Sequence, residues 1–301
     1  MKKLIEFLNS NNILFEENVS GAKLCSFHVG GNVRVVVKPK RADEFEALFA
    51  FLNENGINNH IHGRGSNVVI SDEGYDGAFV SLSELSSVDF DVTDELCIVA
   101  GAGASMLKLA SFAQQNGLSG LEFAHGIPGS VGGGVYMNAG AYGGEIAQVL
   151  VSCLVFDTSR GMLYLIDNSD CDFSYRHSTF MDHRELIVLF ATFKLERGDP
   201  DEIKAKMDEY KAKRIASQPL DFPSAGSTFK RPVGHFAGKL IEDAGLKGFS
   251  VGGAEVSPKH AGFVINRGGA SASDIKELVE HVKKEVNEKF SVMLECEIEF
   301  I

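Results

Sequence analysis

The chain has 301 residues, 44% of them hydrophobic and 23% charged, with 29 Lys and Arg against 41 Asp and Glu for a net charge of −12. A chain of that length and composition folds into about two domains without help from disulfides, and its acidity argues against a sequence-independent nucleic-acid binder. No apolar run reaches the ~18 residues of a membrane span, and Glu6 interrupts the apolar residues 4–8 where a signal-peptide core would lie, which points to the cytoplasm.

Helical spacing runs over residues 2–11, and Val33, Arg34, Val35, Val36 and Val37 before Pro39 read as a strand. Phe45, Leu48, Phe49 and Leu52 recur at helical spacing over 43–55, closed by Gly56, and Val68, Val69 and Ile70 complete a small α/β unit. Between 78 and 101 the apolar runs are short, with 96–100 the clearest strand. Ser105 can cap a helix reaching 116. From 117 to 144 the density of glycine predicts neither helix nor strand, and strands return at 149–156, 162–166 and 186–195. Gly198, Asp199 and Pro200 mark a boundary. A charged helix over 201–216, a loop over 217–232 and a long helix over 272–290 follow. The last residues alternate Val292, Leu294, Cys296, Ile298 and Phe300 with Met293, Glu295, Glu297 and Glu299, predicting a strand with three glutamates on one face.

Cys25, Cys97, Cys153, Cys171 and Cys296 are scattered and never spaced as CxxC, so neither a disulfide framework nor a metal site is expected. Residues 210–270 carry nine basic side chains, among them Arg214 and Lys230, against four acidic ones. A locally positive stretch in an acidic protein suits a small anion, with a solvated basic face as the alternative.

Three glycine clusters can carry chemistry: Gly63, Arg64, Gly65, Ser66 and Asn67; Gly101, Ala102, Gly103, Ala104 and Ser105; and Gly126, Ile127, Pro128, Gly129, Ser130, Val131, Gly132, Gly133 and Gly134. Glycine admits positive φ and close approach, so successive amides can converge on phosphate oxygens. Tight turns explain any one cluster alone. None matches a Rossmann or Walker A pattern, and a dinucleotide held by loops of a non-Rossmann α/β fold accounts for all three. Asn138, Ala139, Gly140, Ala141, Tyr142 and Gly143 add an amide and a phenol. Ser174, Tyr175, Arg176, His177 and Ser178 form a polar knot in which a planar guanidinium could stabilise an oxyanion. In the run from Pro223 to Lys230, Ser227 fails the nucleophile-elbow pattern yet can donate a proton.

Taken in order, these segments closely resemble the UDP-N-acetylenolpyruvoylglucosamine reductase (MurB) family of flavoenzymes of peptidoglycan precursor synthesis, from about Lys23 to Ile301. Gly65-Ser66-Asn67, the run from Gly126 to Gly133, the run from Met137 to Gly143, Ser174-Tyr175-Arg176, the run from Ala225 to Lys230 and Leu294-Glu295-Cys296-Glu297 carry the likeness. The resemblance implies an α+β protein: a vanillyl-alcohol-oxidase-type (PCMH-type) FAD-binding domain over 1–197, built of two α/β subdomains at about 1–71 and 72–197, then an α+β substrate-binding domain over 200–301. It implies non-covalent FAD, NADPH as reductant, and an enolpyruvyl ether of UDP-N-acetylglucosamine as substrate, with no obligate protein partner. Hydride would pass from flavin N5 to C3 of the enolpyruvyl group. Arg176 and Glu297 would stabilise the enol-like intermediate, and Ser227 would protonate C2. Gly63, Gly65, Ser66, Asn67, Gly126, Ile127, Pro128, Gly129, Ser130, Gly132, Gly133, Asn138, Ala139 and Gly140 would bind FAD; Tyr175, Arg214 and Lys230 would face the substrate. Choosing Glu297 over Glu295 rests on the family pattern alone. Glu299 stands where a basic residue is common, and His125 and Gly134 where smaller or alanine-like residues are. The length fits the subclass without a tyrosine-bearing substrate loop. An FAD-linked oxidase of the same fold and a non-catalytic flavin-binding module are the competing readings.

Overall fold

Alternating apolar strands and amphipathic helices predict sheets covered by helices, and most of the chain resolves that way. In the computed structural model, which describes residues 1–301, the chain divides into two compact units. Residues 1–17, 35–64 and 77–213 form the first, and 18–34, 65–76 and 214–301 the second. Both units are discontinuous in sequence, whereas the expected boundary was a single cut at 198–200. Pro200 there opens the helix Pro200–Ser217, as proline suits a first helical turn.

The first unit holds the larger core. Its five-stranded antiparallel sheet runs in the order Met162–Asp167, Leu150–Asp157, Leu186–Lys194, Cys97–Gly101, Val88–Phe90. Strand Asn59–His62 pairs in parallel with Tyr75–Ser81 in another sheet. The helix Ala42–Glu54 buries Phe45, Leu48, Phe49 and Leu52, as its spacing predicts. Phe45 and Phe49 meet Phe156 at ring-centroid distances of 6.1 and 5.8 Å. Deleting a ring packed in this way costs about 3–5 kcal/mol, so Phe156 is a principal fastener of helix to sheet. Ser105 caps the helix Met106–Gln115 by accepting the Lys108 amide.

The glycine-dense stretch departs from expectation. Ser130 caps a helix over Val131–Tyr136, its Oγ accepting the Gly133 amide, and Glu122–Ala124 forms a 3-10 turn. Glycine is a poor helix former, but here it permits close packing: a Cβ on Gly132 would lie 2.8 Å from the Ala102 Cβ. Tertiary contact has overridden local propensity.

In the second unit, an antiparallel sheet of Ser250–Val251, Ala254–Val256 and Val264–Asn266 supports the helix Ala272–Phe290. That helix buries Ile275, Leu278, Val279, Val282 and Val286. Its N-terminus is doubly capped. Ser271 and Asp274 form a capping box, and Asp72 accepts the Ala272 amide at 2.7 Å and the Ser273 amide at 2.9 Å.

The predicted C-terminal strand is shorter than its alternation suggests. Only Glu299–Phe300 is regular, in parallel with Val68–Val69, while Phe229 and Cys296 form an isolated antiparallel bridge. Changing partner breaks the two-residue period: Leu294 and Ile298 are buried but Phe300 is exposed, and the glutamates differ, with Glu295 exposed and Glu297 and Glu299 half-buried. All five cysteines are free thiols. No group of His, Cys, Asp or Glu could hold a metal ion, and no helix is long and apolar enough to cross a membrane.

Candidate active site

Within the first unit, Gly63 and the second and third glycine clusters converge, while Gly65, Ser66 and Asn67 belong to the second unit. A Cβ on Gly63 would come within 2.5 Å of the Ser130 Oγ, so only glycine lets these two loops touch. Ser105 bridges Ser130, the Met106 amide donates to the Gly129 carbonyl, and the amides of Val131 and Gly132 donate to the carbonyls of Ala104 and Ala102. Segments about 70 residues apart in sequence thus form one floor. The packing also sorts the candidate donors. The amides of Ile127, Gly132 and Gly133 bond to Ala124, Ala102 and the Ser130 hydroxyl.

The loop from Gly63 to Asn67 differs. Its carbonyl at Gly65 accepts the Ser26 amide, but its own successive amides find no acceptor in the protein. Gly65 adopts φ +65°, and a Cβ there would lie 1.8 Å from the Leu24 carbonyl oxygen. A run of unsatisfied amides turned by a left-handed glycine is suited to an anion, because N–H dipoles offset phosphate charge. This donor set fits the pyrophosphate of FAD.

Arg176 is placed by the first unit. It adopts φ 56°, in a tight loop closed by mutual Ser174–His177 backbone bonds, and its Nη2 donates to the Gly140 carbonyl at 3.1 Å. Asn138, buried at 1% exposure and also at positive φ, braces that loop. Its Nδ2 donates to the Ser174 carbonyl and its Oδ1 accepts the Ala147 amide, both at 3.0 Å. The Asn138 side chain is therefore a positioning device, with its polar atoms turned to the protein. Tyr175 is exposed, with the Arg176 guanidinium 5.1 Å from its ring centroid.

The second unit gathers Ser227, Lys230 and Glu297. The Glu297 amide donates to the Thr228 carbonyl and the Lys230 amide to the Glu295 carbonyl, each at 2.9 Å, so the segments bearing Ser227 and Glu297 run side by side. Thr228 is fully buried and its hydroxyl accepts the Val264 amide, which fixes the turn beneath an exposed Ser227. Gly226 supplies the positive φ, +76°. Lys230 forms an ion pair with exposed Glu295, and Arg214 donates through Nε to Gln218 at 2.7 Å.

Of the departures from the family pattern, Gly134 has a packing reason. A Cβ on Gly134 would approach the Met106 sulfur to 3.0 Å, so glycine leaves room for that side chain. Burial pushes the His125 imidazole below its ordinary pKa, aided by Lys211 and Lys204 and opposed by Asp208. Sequence reasoning missed Tyr210. It stacks on Tyr142 at 4.5 Å, with the Lys213 ammonium 5.9 Å from its ring. An aromatic embedded in a charged helix was its only signal.

A loop floor for a dinucleotide phosphate, beneath an antiparallel sheet rather than a Rossmann sheet, defines the class: an FAD-binding oxidoreductase of the vanillyl-alcohol-oxidase type. Residues 33–164 match the FAD binding domain family, and residues 218–301 match the UDP-N-acetylenolpyruvoylglucosamine reductase C-terminal domain family. The chain is 47% identical to UDP-N-acetylenolpyruvoylglucosamine reductase of Caldicellulosiruptor saccharolyticus over 98% of this chain and 94% of the relative. It is 49% identical to that of Listeria innocua over 90% of each. The crystal structure of the Thermus caldophilus enzyme superposes with a TM-score of 0.79 at 32% identity, covering 96% of this chain and 98% of that one. The chain belongs to the UDP-N-acetylenolpyruvoylglucosamine reductase family. It is accordingly an FAD-dependent reductase, which decides against the oxidase and the non-catalytic module.

Proposed function

We propose that this protein reduces UDP-N-acetylglucosamine enolpyruvate to UDP-N-acetylmuramate in peptidoglycan precursor synthesis, with Ser227, Arg176 and Glu297 as its catalytic residues. The observation that carries the reading is the pairing of the 228–230 and 295–297 segments, which sets a serine and a glutamate from distant motifs on adjoining backbone. Bound FAD supplies the two-electron exchange between NADPH and the enolpyruvyl group. The amides of Gly65, Ser66 and Asn67 would hold its pyrophosphate, and Gly63, Gly126, Gly129 and Ser130 are further residues we assign to the cofactor.

As reduction makes C2 of the enolpyruvyl group basic, Ser227 delivers a proton to that carbon. A hydroxyl is a weak acid, yet it can protonate a strongly basic carbanion-like centre. Arg176 and Glu297 stabilise the charge that moves toward the substrate carboxylate: the guanidinium by direct attraction, the glutamate as a hydrogen-bond partner. Arg214 and Lys230 bind the anionic parts of the UDP-sugar, Lys230 exchanging Glu295 for phosphate, and Tyr175 lines the cleft. We assign residues 1–197 to flavin binding and 200–301 to substrate binding. A cytoplasmic location goes with this assignment, since NADPH and a UDP-sugar are water-soluble nucleotides.

Stopped-flow separation of the half-reactions tests the proposal. In Ser227→Ala, reduction of the flavin by NADPH stays near its normal rate, while reoxidation by the enolpyruvyl substrate falls roughly 10²–10⁴-fold, the range for a positioned acid. Equal slowing of both half-reactions would make Ser227 a structural turn residue.

A further inference from the structure

We propose that Asn67 is a positioning residue for Glu297, its side chain standing in for a backbone partner that the flavin loop cannot provide. The inference rests on the reading of Glu297 as catalytic.

Strand Glu299–Phe300 lies parallel to Val68–Val69, in the register Glu299 to Val68 and Phe300 to Val69. In that ladder the Glu299 amide donates to the Asn67 carbonyl at 2.9 Å, and the Ile301 amide to the Val69 carbonyl at 2.9 Å. Parallel pairing has a fixed alternation: the residue before the bridge would next donate its backbone N–H to the carbonyl two residues back on the partner strand. Here that donor would be the Asn67 amide and that acceptor the Glu297 carbonyl. The chain turns away at Asn67 to form the 63–67 loop, so the backbone bond is not made. The Asn67 Nδ2 instead donates to the Glu297 carbonyl at 2.9 Å.

One asparagine therefore brackets Glu297, accepting from residue 299 through its carbonyl and donating to residue 297 through its side chain. On its other edge, Glu297 donates its amide to the Thr228 carbonyl. The backbone of Glu297 is thus pinned from two sides, by the flavin loop and by the serine turn. Few other side chains can do this. Aspartate would set a second acceptor against the carbonyl, and serine or alanine would not reach or donate across the gap.

A double-mutant cycle on the flavin-saturated holoenzyme tests the inference, with reoxidation by the enolpyruvyl substrate as the readout. Asn67→Ala and Asn67→Asp are each expected to slow reoxidation about tenfold or more in the native background, and less than about twofold in a Glu297→Gln background, because a residue acting through Glu297 has nothing left to act through. NADPH reduction of the flavin, measured alongside, should change by the same factor in both backgrounds, since it reports only on the flavin loop. Equal loss of the reoxidation rate in both backgrounds, or no loss in either, would overturn the inference. A Glu297→Gln enzyme with normal reoxidation would instead overturn the catalytic reading of Glu297, and the inference with it.

Discussion

Acidification strains the strand that delivers the chain into the flavin loop. His60 lies in Asn59–His62, its ring 4.8 Å from Phe79 and 6.1 Å from His62. Burial holds its pKa at about 4 rather than 6.5, with His62 and Arg184 adding to the effect. A depressed histidine value means that the folded state resists a proton the unfolded chain accepts. Above 6.5 neither state is protonated and stability is unaffected; as pH falls from 6.5 toward 4, the unfolded chain binds the proton first and stability is lost. The separation of the two values corresponds to about 3 kcal/mol in full, of which about 2 kcal/mol is gone by about pH 5. Replacing His60 with glutamine removes the titration. Urea unfolding at saturating FAD, followed by circular dichroism at about pH 8 and about pH 5, should show the native chain losing about 2 kcal/mol more than His60→Gln over that interval. Parallel losses in the two proteins would refute the reasoning and place the acid sensitivity elsewhere.

Two further outcomes follow from the geometry. Gly65→Ala must place a Cβ against the Leu24 carbonyl in a left-handed conformation that costs about 1–2 kcal/mol before any clash, so purified protein should emerge from gel filtration without flavin absorbance, whereas Gly133→Ala, whose Cβ would meet only the Ser130 Oγ at 3.4 Å, should retain it; a yellow Gly65→Ala protein contradicts the cradle. Burial alone would raise the Asp72 carboxyl, but the Ser273 hydroxyl and the Ala272 and Ser273 amides outweigh it and hold the pKa below the ordinary value, so this cap is present at neutral pH and is lost only as pH falls below that ordinary value. Asp72→Ala should cost about 1 kcal/mol at about pH 7, read as a lowered midpoint in thermal unfolding, and progressively less as pH falls below the ordinary carboxyl value.

Elements ruled by a single apolar period were legible in the sequence. The helices Ala42–Glu54 and Ala272–Phe290 and the strands Leu150–Asp157 and Leu186–Lys194 fall within a residue or two of expectation, because one buried face dictates their spacing. Legibility failed where partners far along the chain decide the outcome. Val131–Tyr136 is helical because Ser130 caps it and Ala102 receives its glycines, neither of which a local window contains. Residues 292–300 look like one strand but pair first with 228–230 and then with 67–69, so their side-chain period cannot stay constant. The chemistry-bearing motifs were legible, and with them the flavin-dependent activity; what each side chain touches was not. The missing side chain of Gly132 also permits packing against Ala102, and the Asn138 amide also braces the Arg176 loop, neither of which the motifs announce.

A common physical cause links these failures to the site itself. A surface that must grip a flavin phosphate and a sugar nucleotide needs irregular backbone with outward amides, and irregular backbone strands its neighbours without partners. In this protein short polar side chains make up the deficit. Ser130 accepts at a helix start, Asn138 joins residues 147 and 174, Asp72 caps the helix Ala272–Phe290, and Asn67 completes a ladder its own backbone leaves. Each such bond contributes only about 1 kcal/mol, but each buried group left unmade costs about 1–3 kcal/mol, so the arrangement is strongly specified where it occurs. Hydrophobic periodicity is blind to it, since serine, asparagine and aspartate are also the ordinary residues of solvated turns. The segments least predictable from apolar pattern are therefore the ones that carry Arg176, Ser227 and Glu297, and their geometry is set by hydrogen bonds across 36 to 230 residues of chain.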